Sequence, residues 1–113
     1  MRDDLVYIRH AIDAAEKIKS FTQGKTRKDL DTNETLALAL IRLLEIIGEA
    51  ANCVSSAFSS QNPEIPWTKM IGMRNRLIHG YFDINYDIVW DTIVNDIPGL
   101  IHHLQKLLPE SDR

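Results

Sequence analysis

Only one cysteine, Cys53, occurs in this 113-residue sequence, so neither an internal disulfide nor a cysteine-based zinc site can form. Proline and glycine are sparse, four and five residues, and no low-complexity tract interrupts the chain. Order is therefore expected nearly throughout. No apolar run approaches the ~18 residues of a membrane span, and the opening MRDDLVYIRH lacks the apolar core of a signal peptide. The expectation is a soluble, cytoplasmic protein with no membrane partner. Positive charge is not in excess either. Thirteen Lys and Arg against sixteen Asp and Glu give a net charge of −3 and a pI of about 5.7. That balance argues against a nucleic-acid coat protein and leaves room for an enzyme that grips RNA through a local basic patch.

What is present is helical pattern. Apolar residues make up 44% of the chain, enough for one core and one domain over residues 1–113. Leu5, Ile8, Ile12, Ala15 and Ile18 recur at the helical period behind Asp3 and Asp4, which suit a helix start, and predict a helix over about 4–21. TQGKTRKDLD reads as a loop whose basic cluster, Lys25, Arg27 and Lys28, is expected to be solvated. A long helix over about 33–58 follows, capped by Thr32 or Asn33. Its apolar arc runs from Leu36 through Leu40, Leu44 and Ile47 to Phe58, broad enough for a central helix. Arg42, Glu45, Glu49, Asn52 and Ser56 form the opposite stripe, and Gly48 in mid-helix would permit a close helix contact. Pro66 begins a helix over about 66–80. Asn85 can cap the next helix, and Pro98 is expected to break or kink it, with a last segment over about 97–108. No segment alternates with period two. The fold class is all-α: a bundle of four main helices, the last kinked or split into a fifth.

MRNRLIHGYF, residues 73–82, concentrates the polar chemistry. On a helical wheel Arg74 falls near the centre of the arc defined by Trp67, Met70, Ile71, Met73, Leu77 and Ile78. A buried charge needs a carboxylate or another ligand, and Glu45 or Glu49 is expected within salt-bridge reach of an arginine, Arg42 or Arg74. Asn75 and His79 share a flank. Arg74 and His79, five positions apart, diverge by about 140° on an ideal helix, so one helix does not turn them face to face. A structural reading accounts for all three side chains: an Arg–Glu pair, a histidine favoured by the helix C-terminus, and a half-buried Tyr81 with a wet hydroxyl.

The spacing of Arg74, His79 and Tyr81 also resembles the R-x4-H-x-Y motif of HepT toxins, members of the HEPN superfamily. Asn75, directly after the arginine, fits the superfamily pattern. IRLLEIIGEAA at 41–51, PWTKMIGMRNRLIHGYF at 66–82 and DIVWDTIVNDIPGL at 87–100 resemble its second, third and C-terminal helical segments, so the likeness spans nearly the whole chain.

The resemblance implies a HEPN-type bundle and a metal-independent endoribonuclease without cofactor. Its catalytic residues would be Arg74 on the phosphate and His79 on the proton, with Asn75 orienting the imidazole or touching the RNA. An imidazole ordinarily titrates near pH 6.5, suited to proton transfer, and a guanidinium can grip two phosphate oxygens. The 2′-OH would attack the adjacent phosphorus, which confines cleavage to RNA, with tRNA a plausible target by family analogy, and leaves DNA uncut. The resemblance further implies a homodimer with both motifs in one cleft. It implies an MntA-type nucleotidyltransferase antitoxin that adds AMP to Tyr81, blocking RNA with bulk and negative charge. Against this stands a second class: a non-catalytic dimeric helper subunit of a nucleotidyltransferase, in which the same residues hold a nucleotide.

Overall fold

The computed structural model of the chain describes residues 2–80 and 84–113. Helix α1 spans Arg2–Thr22, with Asp3 and Asp4 in its first turn and Lys19 in its last, each placed to suit the helix dipole. It buries a narrow stripe, Ile8, Ala11, Ala15 and Ile18. Three alanines on this face, at 11, 14 and 15, let α1 lie close along α3 (Glu34–Cys53), and these two helices form the most extensive pairing in the fold. Asn33 caps α3 as the sequence predicts, its Oδ1 accepting the Leu36 N–H at 3.0 Å. Leu36, Leu40, Leu44, Ile47 and Ala51 are buried along it, which makes α3 the central helix.

Two local expectations change and a third is refined. The predicted loop after α1 contains a single helical turn, α2 (Asp29–Thr32), and Arg27 within that loop is no solvated charge. It holds Asp31 at 3.1 Å and Asp87 at 2.7 Å, and its guanidinium lies 5.8 Å from the centre of the Tyr86 ring. The two carboxylates raise its pKa further above the ordinary arginine value. The second change is in the long helix, which stops at Cys53 rather than running to residue 58. Val54 turns to extended backbone with ψ 140°, and a short helix α4 (Ser56–Gln61) begins after Ser55. The Ser55 hydroxyl accepts the Phe58 N–H at 3.2 Å and donates to Asp4 Oδ2 at 2.8 Å, while the Ser55 N–H donates to Asp4 Oδ1 at 2.8 Å. A buried carboxylate from α1 thus competes with the helical bond and wins.

Helix α5 (Trp67–His79) follows. The Trp67 indole N–H bonds the Asn62 carbonyl at 3.0 Å, and its ring meets Phe58 edge-on. The third is a refinement: the break or kink expected at Pro98 takes the form of a π-helical turn between two α-helical segments. Asn85 caps α6 (Tyr86–Asp91) with bonds from Asp87 and Ile88, and the helix then passes through the π-helical turn, Thr92–Asp96, into α7 (Ile97–Gln105). The Ile97 N–H reaches back five residues to the Thr92 carbonyl. Pro98 brings no donor, and its ring would crowd the carbonyl one α-turn earlier. Widening the turn just ahead of it relieves the crowding without ending the helix. The architecture is the expected all-α bundle of four main rods, α1, α3, α5 and the α6–α7 run, with α2 and α4 as short connectors. Among the described residues no helix is long and apolar enough to cross a membrane.

Candidate active site

Helix α5 carries the polar cluster, and its position depends on a glycine. A Cβ added at Gly48 would overlap the Cβ of Arg74 and come within 2.7 Å of the Met70 carbonyl oxygen. The missing side chain lets α5 cross α3 with Arg74 lying directly on the α3 backbone. Arg74 is therefore only half-buried where the wheel placed it at the centre of the buried arc. Its aliphatic stem is covered by Gly48, and the guanidinium passes out beyond the crossing.

Of the two arginines expected to meet Glu45 or Glu49, it is Arg42 that does so, at 3.3 and 3.7 Å, and not Arg74. Among the described residues Arg74 has no ion pair. Its Nη1 donates to Asn75 Oδ1 at 2.8 Å, and its Nε is buried without a hydrogen-bond partner. Asn75, whose sequence reading was an orienter of the imidazole or an RNA contact, accepts from the guanidinium.

His79 occupies the last turn of α5 with Arg76, where the helix dipole favours cations. Both are exposed, and His79 makes no hydrogen bond to Arg74 or Asn75 among the described residues. The helix closes at Gly80, whose N–H bonds the Arg76 carbonyl at 2.9 Å. Tyr81 lies outside the described residues. The structure thus brings Arg74 and Asn75 together and leaves His79 separate from them on an open surface.

A cavity of about 290 Å³ lies elsewhere. It opens between α3, α5 and α7 over Leu44, Ile47, Met70 and Leu100, and none of Arg74, Asn75 or His79 lines it. A smaller space of about 60 Å³ lies at the C-terminal end of α5, between Arg76, Gly80, Asn85 and Ile88. Among the described residues no group of three or more His, Cys, Asp or Glu is placed to hold a metal ion. The features that sequence reasoning missed are the Asp4–Ser55 clamp, which shows no local pattern, and the Arg27 anchor.

Comparison with known proteins adds ancestry to this geometry. Residues 11–107 match the family model described as ribonuclease HepT-like. A relative from Caldanaerobacter subterraneus subsp. tengcongensis, provisionally named an RNase, is 34% identical over 96% of this chain and 96% of its own length. A probable ribonuclease HepT from Thermococcus cleftensis is 39% identical over 89% of this chain and 92% of its own. A longer Methanocaldococcus jannaschii protein, named for a gamma-glutamylcyclotransferase and a provisional RNase, matches all of this chain at 35% identity with 51% of its length. No solved structure gives a significant match.

Proposed function

This chain belongs to the HepT-like ribonuclease family, and from that premise we propose that it is a metal-independent endoribonuclease, the toxin of a toxin–antitoxin pair. The observation that carries the reading is the Arg74 guanidinium. It is seated by Gly48, held by Asn75 and free of any carboxylate among the described residues. A fixed guanidinium without a counter-charge suits phosphate, which it meets through paired N–H donors.

In the proposed reaction the ribose 2′-oxygen attacks the adjacent phosphorus while an imidazole takes its proton. The bond from phosphorus to the 5′-oxygen breaks, and that oxygen leaves with a proton given by a second, protonated imidazole in the shared cleft. The products are a 2′,3′-cyclic phosphate and a 5′-hydroxyl. Arg74 stabilises the charge that builds on the phosphoryl oxygens, and Asn75 keeps the guanidinium aimed. His79 supplies both imidazoles, one from each copy. One α5 does not bring His79 onto Arg74, so the reading includes a homodimer in which two copies of Arg74, Arg76 and His79 face one cleft and concentrate positive charge on an acidic chain. Control is by an MntA-type nucleotidyltransferase that adds AMP to Tyr81.

The same guanidinium would suit a helper subunit that only holds a nucleotide phosphate, and cleavage decides between the two. Purified protein is incubated with RNA in excess chelator, and its toxicity is scored by inducible expression. The wild type should cleave and arrest growth. His79→Ala and Arg74→Ala should stay folded and lose about 10²–10⁴-fold in rate. Tyr81→Phe should stay toxic and gain no AMP mass beside the partner. A His79→Ala protein as toxic as wild type would sink the enzymatic reading.

A further inference from the structure

Leaving Arg2 aside, the lysines and arginines of this chain divide into two kinds. Arg9, Lys17, Arg27, Arg42 and Lys69 each hold a carboxylate, at 2.6 to 3.3 Å. Those with no ion pair among the described residues, apart from Lys106 and Arg113 near the chain's end, gather in two places. One is α5, with Arg74 and Arg76. The other is the end of α1 and the loop behind it, with Lys19, Lys25 and Lys28, all exposed.

The acids around the loop are engaged by partners other than these lysines. Asp29 accepts the Thr26 N–H at 2.7 Å and the Thr26 hydroxyl at 3.2 Å. Asp31 and Asp87 both hold Arg27. Glu16, one turn before Lys19, accepts from Gln105 at 3.4 Å. Arg27 thus anchors the loop and engages two of the acids around it, while Lys19, Lys25 and Lys28 face solvent without an ion pair among the described residues.

Beside these lysines is a place for something flat and apolar. Lys19, Thr22 and Lys25 share a cavity of about 230 Å³ with Trp90, Val94 and Pro98. Val94 is 51% exposed. Aromatic surface flanked by exposed cations is the combination that holds single-stranded nucleic acid, one part stacking a base and the other meeting the phosphates. The position is also suited to the task. Arg27 fastens the loop to Tyr86 and Asp87, and Asn85, just before them, shares a cavity with Arg76 and Gly80 at the end of α5. The loop and the R-x4-H end therefore flank the same first turn of α6.

The geometry points to a second RNA subsite, in which Lys19, Lys25 and Lys28 hold the backbone of the strand flanking the cleaved bond and Trp90 stacks one of its bases. This inference rests on the ribonuclease reading and assigns that enzyme a single-stranded substrate longer than the scissile dinucleotide.

The test compares wild type with two triple variants, one replacing Lys19, Lys25 and Lys28 by Ala and one replacing them by Arg. Binding of a 2′-O-methylated single strand of about 12 nucleotides is followed by fluorescence anisotropy over a salt series. Cleavage of a dinucleotide is measured alongside. The Ala variant should bind the strand more weakly, with a log–log salt slope shallower by about 2, as expected for three lost phosphate contacts on a single strand. Its dinucleotide cleavage should be unchanged, and the Arg variant should recover the slope. Trp90→Leu, which keeps apolar bulk, should weaken strand binding by about tenfold at unaltered slope. If wild type binds the strand and the Ala variant matches it in affinity and slope, the subsite is overturned and the ribonuclease reading stands. If wild type neither binds the strand nor cleaves the dinucleotide, both fall together.

Discussion

Asp4 and Arg74 carry opposite charges and are treated in opposite ways. Asp4 is 4% exposed and its carboxylate is engaged by the Ser55 N–H and hydroxyl. The Ser55 N–H, opposed by burial and joined by the hydroxyl, holds the Asp4 carboxyl below its ordinary value of 3.8. Arg74 keeps its charge with one amide as partner and with its stem in contact with Gly48. The first arrangement serves stability and the second leaves binding capacity unspent. Asp4→Ala should cost about 1.5–3 kcal/mol, the range for hydrogen bonds to a charged group, read as a lower urea midpoint with unchanged slope. The sign of its pH dependence follows from the direction of the shift. A carboxyl depressed by folding adds stability above its unfolded pKa and loses it as pH falls through the folded one. The gap between wild type and Asp4→Ala should therefore be full above about pH 5 and narrow below 3.8. A gap that is constant from neutral pH to pH 3 would show that the ionised carboxylate is not what holds Ser55.

At the scale of elements, the α3–α5 crossing is the joint on which the site depends. Glycine inside a helix ordinarily costs roughly 1 kcal/mol relative to alanine, so Gly48→Ala on an isolated α3 would be an improvement. In the folded chain the added methyl meets Arg74 Cβ and the Met70 carbonyl, and backbone cannot yield as a flexible side chain would. The crossing should open, with a net loss of about 1–3 kcal/mol, the usual cost of overpacking, and with displacement of Arg74. Thermal denaturation and RNA cleavage together check this: both melting temperature and rate should fall. A Gly48→Ala protein as stable and as active as wild type would show that the helices approach less closely than described. The α6–α7 run shows the contrary case, in which a proline is absorbed by a π-helical turn and two short helices become one rod.

For the whole molecule, the dimensions are 41 × 29 × 19 Å. With helices about 10 Å across, the short axis holds two layers. Of the substantial helix pairings among the described residues, α5 has only the one with α3. Leu38 on α3 is 57% exposed. A thin slab with a lightly covered α5 and separated Arg74 and His79 is better completed by a second copy, and light scattering at micromolar concentration should give twice the 12.9 kDa chain mass. A monomer under those conditions would remove the shared cleft from the proposed mechanism.

Periodicity was enough to read the helices because each rod has a continuous apolar stripe, and caps such as Asn33 and Asn85 are local signals that act within three residues. The family likeness was legible for a related reason: Arg74, Asn75 and His79 lie on one helix, so their spacing survives in the linear text. Interactions across the fold were not legible. The end of α3 at Cys53 depends on Asp4, 51 positions away from Ser55, and the fate of Arg27 depends on Asp87, 60 positions on. Whether Arg74 met Glu45 or stayed without a carboxylate turned on a crossing distance that Gly48 sets and Arg42 exploits. Sequence by itself determined the four main helical rods and which face of each is apolar, since both follow from local propensity and period. Only the tertiary structure decided which charges are neutralised, because ion pairing depends on separations of a few ångströms between helices that the order of residues along the chain does not contain.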